Sequence, residues 1–270
     1  MRNTLAIIGA GNMGGAIAEG ILSAGVLKPS QLIMCDRDKE KLSAFEARGC
    51  TVTEDPVCAA SEGDAWLLAV KPQIIGDVME TLAHKSSCKL VISIAAGVKI
   101  EGIAASLSGA SIVRVMPNTP LMVGCGVSAV CFGDGVSEED KSFAKSIFSA
   151  AGSVFETAEE NMNSATALTS SAVAYFARII GVMADWAKEN GFDYMSDKEL
   201  YSLVCRTAVG TAGIIEEKDM DPSALVRAVT SPKGTTEKAL EAFDRMGLDE
   251  AFRAAMTACR KRAEELSGNL

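Results

Sequence analysis

Near the front of the chain, Gly9-Ala10-Gly11-Asn12-Met13-Gly14 stands at G-x-G-x-x-G spacing. The chemistry this spacing suits is the holding of a dinucleotide pyrophosphate. Gly9 permits a tight turn, Gly11 lets the backbone approach the phosphates, and Gly14 lets a following helix lie close to the preceding strand. The amides and dipole at the helix start, with Asn12 and Met13, then face the anion. Asp36 lies twenty-two positions beyond Gly14, where an acid can hold a ribose 2′-hydroxyl. The alternative is a surface acid capping the helix that follows at Asp38-Lys39-Glu40-Lys41. Arg37 offers a guanidinium to a 2′-phosphate that Asp36 repels, so NADH and NADPH both stay open.

Three further segments carry residues a ligand could use: Ala69-Val70-Lys71-Pro72, Ala95-Ala96-Gly97 and Pro117-Asn118-Thr119-Pro120. Taken singly, each proline or glycine reads as a turn former. Each segment, however, follows a predicted strand, and the ligand crevice of an open α/β sheet lies outside the strands' carboxyl ends. All three therefore point to one place. His84 is the only histidine; it sits in a polar loop, so a histidine-based metal cluster is excluded and the site is read as metal-free. Eight cysteines are scattered without a C-x-x-C pair. With no signal-peptide pattern, they set the expectation of reduced, mostly buried thiols in the cytoplasm.

These residues need elements to position them. The glycine turn is preceded by Thr4-Leu5-Ala6-Ile7-Ile8, an apolar run with β-branched residues, and followed by a helix-compatible stretch from Ala16 to Ala24. Further strands are predicted at 31–35, 50–53, 65–70, 90–94, 112–116, 127–131 and 153–155, with helices at about 39–48, 73–82, 99–107 and 138–150. Such alternation implies a mainly parallel sheet covered on both faces, one domain spanning residues 1–158. From Glu159 the pattern becomes helical: about 160–190, 197–217, a short helix opened by Asp221 and Pro222, 237–246 and 248–266. The apolar stretch Ala165–Trp186 contains Arg178 and Asp185, so a buried or intersubunit helix explains it better than a membrane span. The helical domain, 159–270, is expected to form at least a homodimer.

Hydrophobic residues make up 48% of the 270-residue chain and charged ones 23%, which fits two globular domains and gives no sign of disorder. A net charge of −9 without a basic cluster argues against nucleic acid or an anionic membrane as partner.

Five segments resemble, in order, the motifs of the pyrroline-5-carboxylate reductase family: Ile8–Gly14, Ala69–Gln73, Ser93–Val98, Arg114–Pro120 and Thr230-Ser231-Pro232-Lys233-Gly234-Thr235-Thr236. The last two are specific to that family. The resemblance implies an α/β protein, a Rossmann-type dinucleotide-binding domain followed by an all-helical dimerisation domain, that reduces 1-pyrroline-5-carboxylate to L-proline with NADPH or NADH. It also implies an active site between the domains at the subunit interface. A protonated cyclic imine already accepts hydride, so such an enzyme supplies position, a hydrogen bond and a carboxylate clamp. On this resemblance Ser231 and the amides around Gly234 and Thr235 would hold the substrate carboxylate, and Thr236 would offer its hydroxyl to the ring nitrogen. By spacing alone the segment is a helix-opening turn with threonine caps.

Two departures from the family pattern stand out. Lys233 replaces a glycine and either is solvated or adds a positive charge beside the carboxylate. The family's S-G-S-G-P-A-Y becomes Thr169-Ser170-Ser171-Ala172-Val173-Ala174-Tyr175, losing both glycines and the proline. The loss predicts a more regular helix over 164–187, with the hydroxyls of Thr169, Ser170 and Ser171 near the substrate. Two other functions compete with the first: reduction of another cyclic imino acid, and a catalytically drifted NAD(P)-binding regulatory module.

Overall fold

Leu5 and Ile7 of β1 (Leu5–Ile8) pack into one buried cluster and Ala6 and Ile8 into another, as a strand covered on both faces requires. The computed structural model describes residues 4–83 and 90–267; the expectations for His84 and Cys88 fall outside the described residues. After β1 the chain runs α1 (Asn12–Ser23), β2 (Leu32–Cys35), α2 (Lys39–Ala47), β3 (Thr51–Thr53), α3 (Pro56–Glu62), β4 (Ala65–Leu68) and α4 (Pro72–Ala83). It continues β5 (Leu90–Ser93), α5 (Ile100–Ser106), β6 (Ser111–Met116), β7 (Gly126–Phe132), α6 (Glu138–Ser149) and β8 (Gly152–Glu156).

The eight strands form one sheet in the order β3-β2-β1-β4-β5-β6-β7-β8. Only β6 and β7 pair antiparallel. The first six strands make the doubly wound order whose direction reverses beside β1, which opens a crevice there. Ile17, Ile21, Phe45 and Phe148, from α1, α2 and α6, cover one face. Ala59, Ile75, Leu82 and Ile103, from α3, α4 and α5, cover the other. Helix α3 was not expected: Asp55 caps it by accepting from the Val57 amide at 2.8 Å, with Pro56 in its first turn.

The remaining helices are α7 (Met162–Ala165), α8 (Ala172–Ala187), α9 (Asp197–Glu217), α10 (Pro222–Ala228), α11 (Thr235–Met246) and α12 (Leu248–Ser267). Packing divides the chain into two compact units. One holds the sheet and the chain as far as Val173 together with the segment from Ala258 on; the other is Ala174–Thr257. Within the second unit only Ala184 and Leu200 are buried.

The expected regular helix over 164–187 is corrected. Thr166–Ser170 forms a π-helical turn, with the Ser171 amide bonded to Thr166 O at 2.9 Å. Loss of glycine and proline removed the helix breakers, but bonds from the rest of the sheet unit hold the wide turn open. Ser170 Oγ donates to Pro117 O at 3.1 Å, and Asn118 Nδ2 donates to Thr169 O at 3.3 Å. By length and composition Glu159–Phe192 could cross a membrane. Within the single chain Phe176, Val182, Met183 and Trp186 of this stretch are exposed, so burial in its own core does not account for its apolar face. The expectation of mostly buried cysteines also fails among the described residues. Cys35, Cys50 and Cys131 are buried and Cys259 is half-buried, whereas Cys58, Cys125 and Cys205 are exposed, Cys205 on a helix that buries little within its own chain.

One long-range ion pair fixes the exit from the sheet. Arg114 on β6 is 3% exposed, and its Nη1 lies 3.0 Å from Glu159 Oε1, which also accepts from the Ile100 amide at 2.8 Å. Glu159→Ala strands this guanidinium in the interior. We expect it to lower the unfolding free energy by about 3 kcal/mol in chemical denaturation, with Glu159→Gln losing less. A change for Glu159→Ala within about 0.5 kcal/mol, the range of an ordinary surface substitution, would contradict the assignment.

Candidate functional site

The glycine turn is built by close approach. Gly9 has φ +110°, and a Cβ there would lie 2.7 Å from Ala69 O; a Cβ at Gly14 would lie 2.0 Å from Gly9 O and 3.0 Å from Ala69 Cβ. Neither position admits a side chain. Around Gly11 a Cβ would meet nothing within 4 Å, so the backbone there faces open space in front of the first turn of α1. A pyrophosphate fits this cradle, because helix-start amides point into it with no side chain between. Gly11 and Asn12 line this concavity with Ala10, Gly15, Ala16, Glu19, Lys41, Phe45 and Met122. Gly9 and Gly14 stand at the close approaches and Gly11 at the open cradle, while the Met13 side chain packs beside the core.

A second cleft opens at the carboxyl ends of β1, β2 and β4. Gly9, Asp36, Arg37 and Val70 line it with Cys35, Glu54, Pro56, Asp77 and Thr81 among others. Asp36 does not cap α2; Asp38 does, accepting from the Glu40 amide at 3.1 Å. Asp36 instead ties the glycine turn to the start of α2. Its Oδ2 accepts from the Ala10 amide at 2.9 Å and its Oδ1 from the Asp38 amide at 3.0 Å, with Lys41 Nζ at 3.4 Å. Arg37 is exposed and in no ion pair among the described residues. Burial, then the Asp36 and Asp55 carboxylates, push the Cys35 thiol up to about 11.

The other strand-end loops divide. Ala69 presses on the glycine turn and Val70 walls the cleft, while Lys71 is exposed just before α4 opens at Pro72. Gly97, at φ +82°, is buried under the last turn of α12, with Leu266 O 3.5 Å from where its Cβ would stand; Ala95 is buried beside it. Asn118 is 6% exposed and both ends of its amide serve the fold: Nδ2 donates to Thr169 O, and Oδ1 accepts from the Val127 amide at 2.8 Å. What this loop offers a cofactor is therefore backbone. The hydroxyls expected near the substrate are also engaged. Thr169 Oγ1 donates back to Ala165 O at 2.9 Å, Ser170 Oγ to Pro117 O, and Ser171 Oγ lies 3.2 Å from Cys259 Sγ.

The helical unit holds the Ser231–Thr236 segment. Gly234 donates its amide to Ser231 O at 2.9 Å across Pro232 and Lys233. Proline followed by a residue at φ +61° makes this a type II turn, with Lys233 in the left-handed conformation that glycine favours. The Lys233 amide donates to Glu237 Oε2 at 2.8 Å. A Cβ on Gly234 would lie 2.4 Å from Ser231 Oγ, so this position stays bare. Helix α11 starts at Thr235, and the first-turn amides of Thr235, Thr236 and Glu237 precede the first i→i−4 bond, from Lys238 to Gly234 O.

The sequence reading did not single out Glu54, Asp77, Thr81, Glu237 or the Arg114–Glu159 pair. One signal for the cleft wall was present: Asp55-Pro56 has the same cap-and-proline form as Asp221-Pro222.

Comparison with known proteins places the chain among reductases. A family model described as pyrroline-5-carboxylate reductase dimerisation matches residues 159–266, and one described as NADP oxidoreductase, coenzyme F420-dependent, matches residues 4–97. A pyrroline-5-carboxylate reductase of Methanosarcina acetivorans is 36% identical over 265 residues, covering 97% of both sequences. The solved structure of such a reductase from Coxiella burnetii is 34% identical with a TM-score of 0.89, covering 98% of both chains. A Plasmodium falciparum pyrroline carboxylate reductase, solved with NADP bound, is 28% identical with a TM-score of 0.89 and the same coverage.

Two tests follow from the geometry. Lys233→Gly relieves a left-handed side chain and should raise stability by about 1 kcal/mol in urea unfolding; no gain would mean the turn bears no strain. The Cys35 thiol, at about 11 when folded against 9.0 ordinarily, is protonated in both states below pH 9. Above that the unfolded chain releases the proton first, so stability falls as pH rises towards 11. Cys35→Ala should lack this component, and a stability difference between the two proteins that stays flat from pH 9 to 11 refutes the shift.

Proposed function

Because the chain belongs to the pyrroline-5-carboxylate reductase family, we propose that it reduces 1-pyrroline-5-carboxylate to L-proline with NADH or NADPH. The observation that carries the reading is the Ser231–Thr236 turn: proline, a left-handed residue and a bare glycine bring unpaired amides to the start of α11. Such a cluster suits a small carboxylate.

In this reading residues 1–158 serve the cofactor and 159–270 serve the substrate and self-association. The glycine turn, Asp36, Arg37 and the loops at Ala69–Pro72, Ala95–Gly97 and Asn118 hold and frame the dinucleotide, which supplies the hydride when bound. Ser231 and the unbonded first-turn amides from Thr235 onward hold the substrate carboxylate, while the Gly234 amide, bonded to Ser231 O, closes the turn that presents them. Thr236 Oγ1 receives the N–H of the protonated ring nitrogen and so fixes the face and distance of the imine carbon. The iminium becomes a secondary amine on gaining hydride, so no proton moves in that step. Lys233, exposed beside the turn, adds positive charge near the carboxylate. Thr169, Ser170 and Ser171 shape the substrate side by holding the π turn.

The dimerisation domain supports self-association, and the burial of only Ala184 and Leu200 in Ala174–Thr257 favours a homodimer as the working unit, its apolar helix faces covered by a second copy. We place this assembly in the cytoplasm, with neither nucleic acid nor membrane as partner.

Adding pyrroline-5-carboxylate should consume reduced cofactor and yield proline. Thr236→Ala should lower kcat/KM for the imine by about 10–100-fold, the value of one hydrogen bond to a charged group, and leave cofactor affinity unchanged. Unchanged turnover would remove Thr236 from the chemistry.

A further inference from the structure

We infer that this chain selects NADH over NADPH, because the carboxylate at the ribose edge of its cofactor cleft is locked in place. The inference rests on reading the glycine turn as a dinucleotide site. A carboxylate on a free rotor can swing aside for a 2′-phosphate. Asp36 is not free: one oxygen takes the Ala10 amide at 2.9 Å and the other the Asp38 amide at 3.0 Å. Turning the side chain away would leave the Ala10 amide of the glycine turn without its partner. The carboxylate therefore stays at the end of β2, where it can accept from a ribose 2′-hydroxyl and repels a phosphate.

The charges around it do not offset that repulsion. Glu54 and Asp77 line the same cleft, so three carboxylates stand against one lining cation, Arg37. The neighbouring lysines are already engaged. Lys39 pairs with Glu54 at 2.9 Å, and Lys41 lies 3.4 Å from Asp36 and 3.5 Å from Asp38. Cys35 reports the local potential, since Asp36 and Asp55 add to burial in disfavouring its thiolate. Arg37 could meet a phosphate, but it is exposed, with no partner fixing its fork, and an exposed ion pair gains little.

The test is equilibrium binding without substrate: the fluorescence of NADH and of NADPH titrated with the whole protein. We expect NADH to bind at least tenfold more tightly, and raising the salt concentration to narrow the ratio by screening the phosphate. Asp36→Asn, which keeps one accepting oxygen and loses the charge, and Asp36→Ser, which makes room, should each narrow the ratio by raising affinity for NADPH. The wild-type salt series needs neither variant to fold. Equal affinities, tighter NADPH binding, or a ratio insensitive to both salt and the Asp36 variants would overturn the inference and leave the dinucleotide site standing. Binding of neither cofactor would overturn the site itself and the inference with it.

Discussion

No side chain can stand between the glycine turn and the two elements it touches. Gly14 lies so near the Gly9 carbonyl, and Gly9 so near the Ala69 carbonyl, that β1, α1 and the loop after β4 meet backbone to backbone. The rest of the cofactor side depends on this contact. It aims the first turn of α1 at open space, it makes Val70 a wall of the cleft, and it sets the Ala10 amide where Asp36 can take it. A methyl group at either glycine would push apart three elements at once, because hydrogen-bonded backbone cannot yield as a flexible side chain can.

Much of the sheet unit was legible because its signals are local. An apolar strand, a glycine turn and a helix lie within about twenty residues, and alternation along the chain fixes a doubly wound order. Asp221-Pro222 announced α10 by cap and proline alone. The same pair at Asp55-Pro56 opens α3, equally seven residues long, so the signal for that helix was present in the sequence as well.

What the sequence hid is held at long range. Removing glycine and proline from Thr169–Val173 favours a regular helix by propensity, yet Pro117 and Asn118, some fifty residues earlier, impose a wider turn. Propensity differences of about 1 kcal/mol per residue yield to such tertiary bonds. The hydroxyls of Thr169 and Ser170 looked available for the same reason: their partners are backbone carbonyls, which no side-chain pattern advertises. In the substrate segment Ser231-Pro232 with Gly234 two residues on suits a type I turn by itself. The left-handed backbone of Lys233 is a structural finding, at a position where the family pattern has glycine.

The helical unit buries Ala184 and Leu200 and little else. In the proposed homodimer, a unit with so little interior of its own gains its stability by mass action, and folding and assembly become one concentration-dependent event. Dilution then acts on it as a denaturant. In a mixed population, one damaged chain would draw down a sound one by pairing with it, and tolerance to mutation would belong to the pair rather than to the single polypeptide.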